Sequence, residues 1–108
     1  MAETETQAPK KTSRKPDPMT RAITDMKAAA KHLGDFTVKP VPKYRTAVHD
    51  RRSAAWGREY ADSGTFDALV LSLAFEALAG LNPAERRYSL LQLSAVALDE
   101  VVKLDGGE

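Results

Sequence analysis

Few side chains in this sequence are suited to bond-making chemistry. The two histidines, His32 and His49, fall in different segments, and neither belongs to a metal-ligand spacing such as HExxH. Asp99 and Glu100 are a carboxylate pair, but neighbours on a helix point to different faces and do not converge on one proton or one metal. Cysteine is absent, which removes thiolate catalysis, disulfides and sulfur-ligated zinc. No glycine-rich loop follows a strand to cradle a phosphate, and Ser63-Gly64 reads as a turn. The expectation is a protein that is not an enzyme and holds no metal or cofactor.

What remains as chemistry is charge. Residues 1–58 carry 13 Lys or Arg against 6 Asp or Glu, and residues 59–108 carry 3 against 9, although the whole chain sums to only +1. Such asymmetry points to an anionic partner for the basic half. Its most mobile element is expected to be a tail over 1–17, which has no large apolar side chain after Met1 and so cannot offset the entropy of ordering. Lys10, Lys11, Arg14 and Lys15 make that tail basic.

The elements that position the rest follow from punctuation and periodicity. Asp17 caps and Pro18 opens an amphipathic helix over 18–34, with Met19, Ile23, Met26, Ala30 and Leu33 at helical spacing and Gly34 as its stop. Residues 35–108 form the folded helical domain. Within them Phe36, Val38, Val41, Tyr44, Thr46 and Val48 favour extended backbone, and Pro40 and Pro42 oppose helix, so a short strand is predicted near 43–48. The competing reading starts a helix at Pro42 and runs it through Tyr60, tolerating Gly57 at about 1 kcal/mol. From Asp50 through Ala61 the pattern is helical. Thr65 then caps a helix over about 66–80 that is apolar almost all round, and Asn82-Pro83 opens a last helix to about Leu104. Two apolar stripes merge on that helix: Tyr88, Leu91, Ala95, Leu98 and Val102 with Leu90, Leu93, Ala97, Val101 and Leu104.

A short basic strand, a helix, a Ser-Gly-Thr turn and an apolar helix, in that order from Lys43 to Leu81, resemble the ribbon-helix-helix DNA-binding proteins. The resemblance covers about 40 residues and implies a mostly α fold: a dimeric core of one strand and two helices per chain, here with extra N- and C-terminal helices. The alternative is an all-α bundle of three or four helices.

On a strand, Lys43, Arg45, Ala47 and His49 share one face, so Lys43, Arg45 and Ala47 would read base edges in the major groove. The resemblance further implies that the amides of Thr65 and Phe66 grip a phosphate, with Arg51, Arg52 and Arg58 adding phosphate attraction. It extends to plasmid partition proteins, whose basic tails stimulate a partner ATPase. The expected function is therefore sequence-specific binding of double-stranded DNA by a homodimer of partition or repressor type, with Lys10, Lys11, Arg14 and Lys15 making the tail contacts, with DNA or a partition ATPase. The alternative function is an all-helical adaptor or assembly protein. No apolar run spans a bilayer and the N-terminus lacks a signal-peptide core, so a cytoplasmic location away from membranes is expected.

Overall fold

The computed structural model describes residues 17–35, 37–80 and 82–106, and the basic tail with Lys10, Lys11, Arg14 and Lys15 lies outside them, as do Phe36 and Leu81. Four helices occupy the described residues: α1 (Pro18–Leu33), α2 (Lys43–Ser63), α3 (Phe66–Ala77) and α4 (Pro83–Leu104). Among the described residues there is no strand. The ribbon-helix-helix core is thereby overturned, and the all-α bundle stands in its place.

Residues 43–48 are the first turns of α2, not a ribbon. Pro42 occupies the N-cap in extended backbone, and Arg45 N–H donates to its carbonyl at 2.9 Å. The prolines therefore fix where the helix begins instead of forbidding it, since a proline at a helix start has no amide to lose. The β preference of Tyr44, Thr46 and Val48 spans only about 1 kcal/mol and yields to tertiary contact. Thr46, His49, Ser53 and Trp56 lie on one stripe of the helix and are all partly buried. His49 stacks on Phe75 of α3 with ring centroids 5.7 Å apart, and Ser53 Oγ donates to the Ser72 carbonyl at 3.0 Å. Gly57 falls on the same side, where an added Cβ would stand 3.5 Å from Ser72 Oγ, an ordinary contact.

Local caps set the other boundaries. Asp17 accepts from the Thr20 amide and from the Thr20 hydroxyl, both at 2.9 Å, and this holds its carboxyl below the usual value. Asn82 caps α4 by accepting from the Glu85 amide at 2.9 Å. Between α2 and α3 the chain turns on Gly64, at φ 67° in the left-handed region that glycine enters without strain, and its amide closes on the Tyr60 carbonyl.

The helices pack in a series: α3 lies against both α2 and α4, and α1 lies on α4. Arg21 on α1 pairs with Asp105 just past α4 at 3.2 Å, which runs the two helices antiparallel. The buried residues are mostly small, namely Ala22, Ala68, Leu73, Ala77 and Ser89. Among the described residues no helix is long and apolar enough to cross a membrane.

Candidate partner-binding face

Large apolar side chains stand in solvent on α1 and α4. Met19, Met26 and Leu33 on α1, and Tyr88, Leu90, Leu91, Val101 and Leu104 on α4, are all exposed, Tyr88 to 63%. Single exposed apolar residues are ordinary, but a contiguous set on adjoining helices marks an interaction surface.

Spacing makes most of this set contiguous. Met19, Ile23, Met26, Ala30 and Leu33 recur at alternating four- and three-residue intervals, as do Ala84, Tyr88, Leu91, Ala95, Leu98 and Val102. This is the a/d repeat of helices that pack side by side over a long seam. Yet the hollow of about 360 Å³ between α1 and α4 is lined mainly by residues beside the repeats, Ala22, Asp25 and Ala29 with Ser94, Ala97 and Val101, and only Met26 and Leu98 of the repeats reach it. In an antiparallel pair joined along that flank, both repeats turn to the same side. The result is one open apolar face with Met26 and Leu98 at its floor. Both repeats were readable in the sequence; their shared orientation was not, because it depends on which flank of α1 meets α4.

The expected DNA-reading residues are not arranged as a reading edge. On a helix, residues two apart are separated by about 200°, so Arg45 leaves the side shared by Lys43 and Ala47. The Arg45 guanidinium lies over the Tyr44 ring at 5.5 Å. Thr65 and Phe66 sit beyond the far end of α2, which at 21 residues is about 30 Å long, so they share no short surface with Lys43 and Arg45. The Thr65 side chain caps nothing; its hydroxyl meets Ser63 Oγ at 3.2 Å, and the Phe66 ring is exposed. Of the three arginines, Arg52 leans over Phe75 at 5.8 Å toward α3. Arg51 and Arg58, seven residues apart, share the outward side of α2 with Lys43. His49 Nδ1 is buried without a hydrogen-bond partner, and among the described residues no three His, Asp or Glu gather as a metal site would require.

Comparison of the chain with known protein families, with curated proteins and with solved structures returned no match.

Proposed function

We propose that this chain is an assembly or adaptor module that does its work by holding protein on the open side of α1 and α4. The carrying observation is the pair of a/d repeats turned to one side with Met19, Met26, Tyr88 and Leu91 exposed. A helix with that repeat is stabilised by a partner helix, and among the described residues none lies on that side. The small buried residues of the chain contribute little hydrophobic stabilisation by themselves, at roughly 25 cal/mol per Å² buried. A partner would add the larger share.

The test replaces Tyr88 and Leu91 together by Gln in the full chain. Their exposure predicts that helicity and unfolding midpoint at low concentration stay near wild type, while binding of an apolar fluorescent probe falls sharply. A loss of several kcal/mol in the isolated chain would place these residues in its core instead and reject the proposal.

A second reading has one observation in its favour. Lys43, Arg51 and Arg58 lie along the outward side of α2 with Ala47 and Ala54 between them, a basic strip that attracts phosphate without reading sequence. Fluorescence anisotropy with random duplex DNA at two salt concentrations tests it. Steep loss of binding with salt supports it, and no binding at low salt removes it.

A further inference from the structure

The open face of α1 and α4 has edges of opposite charge, and they name its occupant. Beside each apolar repeat, one flank is used inside the chain, where Ala22 and Ala29 line one hollow with Ser94 and Val101. The other flank forms the outer edge of the face. On α1 it carries Thr20 and Lys27, and on α4 it carries Glu85, Gln92 and Asp99. One edge therefore offers Lys27 and the opposite edge Glu85 and Asp99, the latter beside its partner Lys103, with the apolar floor between them.

That arrangement is self-complementary. A second copy turned about a two-fold axis running along the helices lays its α4 across α1 and its α1 across α4, with every neighbouring helix antiparallel. Because Arg21 at the start of α1 pairs with Asp105 just past α4, and the two helices share one hollow from Ala22 and Ala29 to Ser94 and Val101, the same axial height in the second copy brings Lys27 to the stretch of α4 that carries Gln92 and Asp99. The operation makes both charge pairs at once. A two-fold axis at right angles to the helices would instead lay α1 on α1 and α4 on α4, leaving Lys27 with no carboxylate edge opposite it. Asp99 also holds Lys103 at 2.9 Å, on exposed surface where a carboxylate accepts from more than one cation.

Resting on the assembly reading above, we infer that two copies of this chain pair face to face through α1 and α4 as the halves of an antiparallel four-helix bundle, with Lys27 of each copy beside Asp99 of the other. Up-down-up-down bundles close their cores with such a/d repeats.

Sedimentation equilibrium of the full chain tests it. The wild type is expected to be a dimer. Lys27→Glu and Asp99→Lys each place a repulsive pair on both edges and should weaken pairing about tenfold, as two exposed ion pairs allow. Mixing the two variants restores both attractive edges, so the mixture should pair nearly as tightly as wild type, which a general loss of stability cannot reproduce. Leu91→Glu should give a helical monomer, and Leu104→Glu, off the face, should remain dimeric. A monomeric wild type, a dimer that survives Leu91→Glu, or a mixture that does not recover would overturn the inference. A monomer that still binds the apolar probe through Tyr88 and Leu91 overturns self-pairing and leaves the assembly reading standing. A monomer that binds none removes both.

Discussion

The His49 ring stacks on Phe75 with 5.7 Å between centroids and 23° between planes, joining α2 to α3 at the segment whose side chains favour a strand. The same imidazole keeps Nδ1 buried without a hydrogen-bond partner. A buried polar atom left unpaired costs about 1–3 kcal/mol, whereas the stacking requires only a ring. His49→Phe should therefore raise stability by about 1 kcal/mol, and His49→Ala should lower it by a similar amount or more. Denaturant unfolding followed by circular dichroism checks both signs; a destabilised His49→Phe would mean that Nδ1 is satisfied in solution.

Two glycines bracket the end of α2 and should respond in opposite directions. At Gly57 a methyl group would meet Ser72 Oγ at 3.5 Å, an ordinary contact, so Gly57→Ala gains helix propensity of about 0.5–1 kcal/mol. Gly64 sits at φ 67°, so Gly64→Ala should cost about 1 kcal/mol although nothing crowds the added carbon. Thermal midpoints that move the same way for both variants would contradict this geometry.

Removing the Asn82 side chain tests the start of α4. Its acceptor for the Glu85 amide is lost in Asn82→Ala, which should cost about 1 kcal/mol and increase exchange of the first amides of the helix. Asn82→Ser should recover most of the loss.

Acid should fray α1 at its start. The Asp17 carboxyl is held below its ordinary value by the amide and hydroxyl of Thr20, so the ionised form favours the folded cap. A depressed folded value means that this contribution is present above the unfolded value near 3.8 and is lost as pH falls through the lower folded value. Amide shifts of Thr20 and Arg21 should report that transition, and Asp17→Asn should abolish it.

How far the fold could be read varies along the chain for physical reasons. Asp17-Pro18 and Asn82-Pro83 are strong start signals because each supplies both a cap and a preset backbone angle, and α1 and α4 begin at those prolines. The residues at 43–48 misdirect. The stripe that α2 turns to α3 begins with Thr46, His49 and Ser53, so its contact side does not look apolar, while Tyr44, the obvious apolar residue, is exposed. Local β preference then outweighed a helical period carried by polar side chains. The open face was legible only as two stripes, since their common direction arises from the antiparallel packing of α1 on α4 along the flank of Ala22, Ala29 and Ser94.

The most direct measurement is methyl NMR of the full chain through a dilution series. The prediction is that methyl signals of Met19, Met26, Leu91 and Val102 shift together with concentration while those of Val38 and Leu104, exposed elsewhere, stay fixed. Signals on the α1 and α4 face that do not move over the range, or shifts concentrated on α2, would contradict an assembly surface built from these two helices.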